Sequence, residues 1–257
     1  MNKGVKIFLY IVFLTLFAGS GALLFMSLQP VEAQQGGGET PVITSPEELD
    51  QTADQVFNID IDVVKMSKDV NLASERKNHK NNDIIGRLEV PDLFNVLVVK
   101  TKDNKYYLDY NVDKKKDIKG ATFADYRTGV NNNQINIYGH NSRDSKLDVP
   151  FRRLEKFLKK DFFDKHPYII FQYDGGKKVY KITAIKEVTA NQKEHMYVSY
   201  TGDKFVSHID KMISGAIFKR DVKYDANSDI IVLQTCSHHL SNAFYILVGV
   251  SINYVQK

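Results

Sequence analysis

The chain has 257 residues, a formal net charge of +4 and a single cysteine. One thiol cannot close an intramolecular disulfide, so a chain of this length must be held by a buried core. Its lysines are dispersed, clustering only at Lys114, Lys115 and Lys116, and no basic stripe alternates with aromatics, which argues against a nucleic-acid surface.

Residues 7–28 carry almost no charge and are about as long as a helix that crosses a bilayer. Lys3 and Lys6 precede them, which predicts a cytoplasmic N-terminus and a single-pass anchor over 1–28, with the rest of the chain outside the cell membrane. A cleaved signal peptide is the rival reading, with Val31-Glu32-Ala33 as a cleavage site, but the apolar run is long for that purpose. Residues 29–45, with Gln-Gln-Gly-Gly-Gly and two prolines, read as a flexible tether. Residues 46–257 then form one extracellular domain. Ser45-Pro46-Glu47-Glu48 is a helix start with Ser as N-cap and Pro at N1, and apolar spacing predicts two helices over 46–80.

From Ile84 the pattern becomes β. Short apolar runs at 85–90 and 95–100 flank a Pro91-Asp92 turn, and 105–110 reads as a short helix or an extended edge. Residues 135–139 form another apolar stretch. Asp148-Val149-Pro150 opens an amphipathic helix with Phe151, Leu154, Phe157 and Leu158 inward, ending before Pro167. Strands at 168–173 and 179–188 flank Asp174-Gly175-Gly176, a hairpin signal. A helix over 203–214 and strands at 230–235 and 244–255 complete the domain. The fold class expected is mostly β with peripheral helices (α+β), as a closed or half-closed barrel.

Two of these strands end on reactive side chains. The run at 230–235 stops at Cys236, and the stretch at 135–139 delivers His140. A free cysteine is often only a small buried hydrophobe. A thiol beside an imidazole is something else: the ring stabilises the thiolate or takes its proton, and later returns a proton to a leaving amine. Strand ends suit such a pair because the sheet fixes the backbone while the loops admit substrate. His79, His166, His195 and His208 fall in polar turns, loops or a helix face and read as bystanders. His238 and His239 adjoin the thiol, so a zinc site from Cys236, His140 and His239 is conceivable, but no HExxH or CxxC spacing accompanies it.

Tyr138-Gly139-His140-Asn141 and Leu233-Gln234-Thr235-Cys236 resemble the histidine and cysteine signatures of the sortases. Asn82-Asp83-Ile84-Ile85-Gly86 is similar to the start of that family's first strand. Asn104-Lys105-Tyr106-Tyr107-Leu108 resembles its N-x-Y-Y-L segment, and Gly120-Ala121-Thr122-Phe123-Ala124-Asp125 its G-x-x-F-x-D stretch. The helix ahead of the cysteine strand is the mark of class B, and the resemblance runs over roughly residues 82 to 255. It implies a sortase-like barrel and a transpeptidase on the outer face of a Gram-positive cell. By that resemblance Cys236 attacks the backbone carbonyl of a sorting-signal Thr in a secreted surface protein or pilin, with His140 as general acid/base. An amine of a peptidoglycan precursor or a pilin lysine then resolves the thioacyl enzyme. No cofactor or metal is implied.

One departure stands out. The family places an arginine eight to ten residues after the cysteine to bind substrate and support the oxyanion, and here that stretch is Asn242-Ala243-Phe244-Tyr245-Ile246, with no arginine after Cys236. Tyr245 and Asn242 are the first candidates to replace it. Thr235, His239 and Arg143 are further substrate or oxyanion candidates, and Arg220 lies on another loop. Strand alternation lets only one of Phe244 and Tyr245 face the cleft. The missing arginine also allows an alternative, a pseudosortase that binds sorting peptides or pilins with little turnover. A hydrolase that gives its acyl group to water is a third.

Overall fold

The computed structural model describes residues 67–144, 146–192 and 197–252. The expected anchor, the tether, most of the helical segment over 46–80, His195 and the last residues of the final strand lie outside them. Within 46–80, one helix is described, α1 (Leu72–Asn78), capped by the Asn71 side chain accepting from the Ser74 amide at 3.0 Å.

Alternation builds the first strand. In β1 (Ile84–Val90) residues 84, 86, 88 and 90 are buried while their neighbours are half-exposed, the period-two signature of a sheet with one covered face. It turns at Pro91-Asp92, where Asp92 adopts φ +61°, into the antiparallel partner β2 (Phe94–Val99). Short α2 (Tyr106–Asp109) follows, then β3 (Phe123–Ala124) and β4 (Gln134–Tyr138). The amphipathic segment after Asp148 is divided. Pro150–Leu158 winds as a 3-10 helix, and α3 (Lys160–Lys165) continues separately. Phe151, Leu154 and Phe157 recur every third residue, so the three-residue turn of a 3-10 helix puts all of them on the buried face; Leu158 is only half-buried.

The hairpin β5 (Tyr168–Tyr173) and β6 (Gly176–Thr189) forms around Asp174-Gly175. Helix α4 (Asp203–Ile213), the short strand β7 (Phe218–Lys219), β8 (Ile230–Ser237) and β9 (Ala243–Ile252) complete the described chain. Strand β8 is two residues longer than its apolar run suggests, so Cys236 belongs to the ladder, paired with Phe244.

The strand order is β5-β1-β2-β3-β4-β8-β9-β6, and β5 also pairs with β6, which closes eight strands into a barrel; β7 adds to the outside of β6. The β2–β3 and β4–β8 pairs are parallel and the rest antiparallel. Ile231 and Leu233 of β8 point into the barrel core, while Ile230 and Val232 pack outward with Phe205, Ile209 and Met212 of α4. Both faces of β8 are therefore covered, which is why its sequence is a continuous apolar run. Each of the three fully buried side chains of α4 contributes about 1.5–3 kcal/mol of burial.

Candidate active site

Parallel pairing brings the two strand ends together. Tyr138 stands beside Gln234 in the register, so β4 and β8 run out at the same rim, one delivering His140 and the other Cys236. The ends are stitched by three bonds drawn from the two signatures, and a fourth ties Asn141 to the 3-10 helix. The Gly139 amide donates to the Gln234 carbonyl at 3.2 Å, and the Thr235 hydroxyl donates to the Gly139 carbonyl at 2.8 Å. The Asn141 amide nitrogen donates to the Cys236 carbonyl at 2.8 Å and to Glu155 at 2.7 Å.

Three backbone features hold the imidazole. Its Nε2 lies 2.8 Å from the Leu108 carbonyl oxygen, which can only accept, so the neutral ring carries its proton on Nε2 and leaves Nδ1 with a lone pair. Helix α2 presents that carbonyl, and the helix is anchored by Tyr107. The Tyr107 hydroxyl donates to Asp83 at 2.8 Å and accepts from the Asn81 side chain at 2.8 Å. Gly120, at φ +58°, packs against the ring: a Cβ there would meet the Leu108 carbonyl oxygen at 2.8 Å and His140 Cδ2 at 3.0 Å. Beneath the strand end, a Cβ on Gly139 would lie 2.5 Å from the Phe151 ring. The N-x-Y-Y-L and G-x-x-F-x-D segments thus act together as the mount for one histidine.

Cys236 is solvent-exposed on the outer face of the barrel, and the protein packed around its inner side pushes the thiol pKa above its ordinary value. Cys236 and His140 line one open cleft of about 330 Å³, with Leu108, Phe123, Tyr138 and Phe244 as apolar walls and Asn104, Arg127, Gln234 and Thr235 as polar ones. Gln234 shares the outward face with Cys236, and its Oε1 is buried without a hydrogen-bond partner among the described residues.

Behind the cleft lies a fully buried carboxylate, Asp125. Burial alone would raise its pKa. Hydrogen bonds from Arg127, Tyr138 and Asn104 outweigh burial and hold it at about 2. Arg127 Nε and Nη2 donate to it at 2.9 and 2.7 Å, and the Tyr138 hydroxyl and the Asn104 amide nitrogen donate at 2.9 Å each. Tyr138, itself desolvated, keeps its phenolic proton.

Of the residues considered as substitutes for the missing arginine, Thr235 alone lines the cleft, and its hydroxyl is engaged with Gly139. Tyr245 is turned the other way: opposite Thr235 in the ladder, it packs into the barrel core, because the outward side of β9 at this level belongs to Phe244. Asn242 is exposed in the turn between β8 and β9 at φ +52°. His239 bonds Glu187 at 3.2 Å, and Arg143 donates to the His238 carbonyl at 2.9 Å. Arg220 stacks on Phe163 and bonds the carbonyls of Ile182 and Phe163. None of these five is among the cleft residues. Among the described residues no group of three His, Cys, Asp or Glu side chains is placed to hold a metal ion. Arg127 was not singled out from sequence; its position two residues past the aspartate of the G-x-x-F-x-D segment is the signal that marks it.

A closed barrel thus carries a thiol and an imidazole from two parallel strand ends into one cleft. The family model for the sortase domain matches residues 88–249, and the chain belongs to the sortase family. It is 32% identical over 166 residues to sortase B of Listeria monocytogenes, covering 61% of this chain and 63% of that protein. Against sortase B of Staphylococcus aureus it is 27% identical over 161 residues, covering 61% and 64%. The chain thus spans a little under two thirds of each relative's length. The crystal structure of Clostridium perfringens sortase B superposes with a TM-score of 0.64 at 26% identity, covering 70% of this chain and all of that one. Its relatives in sequence and fold are class B sortases.

Proposed function

We propose that the chain is a membrane-anchored cysteine transpeptidase of the cell surface. It cleaves a sorting signal in a secreted protein and passes the acyl group to an amine, on a cell-wall precursor or a pilin lysine. The observation that carries this reading is the shared cleft: in a sortase-family chain, Cys236 and His140 emerge side by side from parallel strands into an open groove. In the reaction, His140 Nδ1 takes the proton of the Cys236 thiol, and the thiolate adds to the scissile carbonyl carbon as the carbonyl π pair moves to oxygen. The tetrahedral adduct collapses, the C–N bond breaks, and the leaving amine takes a proton from the imidazolium of His140. The acceptor amine then attacks the thioester, loses its proton to His140 and expels the thiolate. With the Nε2 proton held by the Leu108 carbonyl, Nδ1 is the nitrogen that exchanges protons. The run over 7–28 supports the anchor through its length and the lysines ahead of it.

The second reading, a pseudosortase that binds sorting peptides with little turnover, draws on Phe244, an apolar ring on the cleft wall within the stretch where the family arginine is expected. One experiment separates the readings. The chain is incubated with a library of N-acetyl peptides with Thr before the scissile bond, and adducts on Cys236 are read by mass spectrometry. A thioacyl adduct, lost in Cys236→Ala, with turnover abolished by His140→Ala and retained in His238→Ala, is the expected result. Binding without adduct favours the pseudosortase, and release to water in preference to hydroxylamine favours a hydrolase. Equal loss in His140→Ala and His238→Ala would overturn the assignment of the base.

A further inference from the structure

We propose that Arg127 is the oxygen-binding group of the active cleft, receiving a carbonyl oxygen of the bound peptide from the wall that faces away from β9 and so taking over the substrate-binding work of the missing arginine. The inference deepens the transpeptidase reading and rests on it for the identity of the peptide.

Three observations carry it. First, Arg127 lines the same cleft as Cys236 and His140, and among the described residues lining that cleft it is the one side chain with a permanent charge. Second, its fork is only partly used. A guanidinium has five N–H donors; two go to Asp125, and the remaining three have no protein acceptor among the described residues. The side chain is 36% exposed whereas Asp125 is 0% exposed, so the pair turns its anionic end inward and its cationic end to the solvent side. Third, the group is rigid. Asp125 is itself fixed by Tyr138 and Asn104, and the guanidinium sits 5.4 and 5.5 Å from the Tyr126 and Tyr197 ring centres. A donor array held this way loses little freedom when a ligand oxygen arrives, the condition under which a polar contact yields net affinity. On the opposite wall Phe244, paired with Cys236, offers a ring and no charge.

The requirement for an oxygen ligand is chemical. A guanidinium donates and never accepts, so its partner is a carbonyl or carboxylate oxygen, and a peptide lying along apolar Leu108 and Phe123 presents carbonyls at every residue. Arg127 acts here in binding, and its loss shows in the concentration dependence of acylation.

Two measurements on the whole chain test this, one independent of any peptide. Alkylation of Cys236 is followed with iodoacetate and with iodoacetamide, two reagents alike in size, one carrying a carboxylate. In Arg127→Gln the iodoacetate-to-iodoacetamide rate ratio falls by about threefold, while iodoacetamide reactivity holds near the wild-type value; the melting temperature falls, since buried Asp125 loses its charged partner. Arg127→Gln combined with Phe244→Arg restores the ratio, since the new guanidinium enters the cleft from the other wall. With peptides captured from the library, half-saturation for acylation rises about ten- to a hundredfold in Arg127→Gln, the loss of one charged hydrogen bond, with the maximal rate little changed. The double variant recovers it. An unchanged reagent ratio overturns the proposal. So does a parallel loss of iodoacetamide reactivity that Phe244→Arg leaves uncorrected, which marks a purely structural arginine. A wild-type chain that captures no peptide, yet shows the Arg127-dependent ratio, sinks the transpeptidase reading and still supports Arg127 as the oxygen-binding group of the cleft.

Discussion

Gly139→Ala adds one methyl group directly beneath the rim that carries His140. The new Cβ lies 2.5 Å from Phe151 Cγ and 2.8 Å from both Cδ atoms, so the ring must retreat by about 1 Å to reach ordinary contact distance in a close-packed core. It has nowhere cheap to go, being 1% exposed and stacked on Phe94 with ring centres 5.5 Å apart. Overpacking of this kind costs about 1–3 kcal/mol, and for a domain of this size each kcal/mol lowers the melting temperature by about 2–4 °C. The larger effect is on rate. If the strand end moves in place of the ring, His140 moves with it, and a displacement of about 1 Å from productive geometry costs on the order of a hundredfold. Differential scanning fluorimetry and peptide-to-hydroxylamine transfer measure the two losses. Phe151→Ala in the same chain removes Cγ and both Cδ atoms, so the double variant, assayed below its melting temperature, should be faster than Gly139→Ala alone. Wild-type melting and wild-type transfer in Gly139→Ala would refute the packing argument outright.

Two pH dependences follow from groups in and behind the cleft. Burial raises the Cys236 pKa, so the rate of iodoacetamide alkylation should climb with pH to a midpoint above the ordinary thiol value of about 8.5; a midpoint below neutrality would show a thiolate stabilised in the free enzyme. Asp125 is depressed to about 2, so its contribution is complete above the unfolded carboxylate value of about 3.9 and is lost as pH falls toward 2. Asp125→Asn should therefore cost about 2 kcal/mol at pH 7, and the gap from wild type should shrink between pH 4 and pH 2 in denaturant titrations; a gap independent of pH would place the effect of the substitution elsewhere.

The parts of this site that reside in side chains with a strong local pattern were legible before the structure. Cys236 and His140 each follow an apolar run, and the run before Cys236 is continuous because β8 is covered by the barrel core on one side and by α4 on the other. Alternation correctly restricted the cleft to one of Phe244 and Tyr245, but which one depends on the pairing of Cys236 with Phe244, and register is a property of two strands. The segment after Asp148 carries spacings that suit either helix type, and the interval of three between Phe151, Leu154 and Phe157 decided for the 3-10 form. The mount of His140 was the least legible part. It consists of a carbonyl at Leu108 and a close backbone approach at Gly120, neither of which has a side-chain signature of its own. Arg127 was hidden for a related reason: it lies in a turn far upstream of the thiol, and only closure of the sheet brings the two to one groove.

The parallel pairing of β4 with β8 bears on when the thiol becomes reactive. Antiparallel neighbours such as β1–β2, β5–β6 and β8–β9 can zip from a local turn, but β4 and β8 must find each other across the intervening chain, and Asn141 reaches the Cys236 carbonyl over a separation of 95 residues. Contacts of that span form late, since the entropy of closing the loop is lost before they return anything. During synthesis and before closure, Cys236 stands apart from the imidazole of His140. Under the proposed assignment the reactivity of the thiol depends on that long-range seam, so thioacylation of Cys236 would report on a closed barrel.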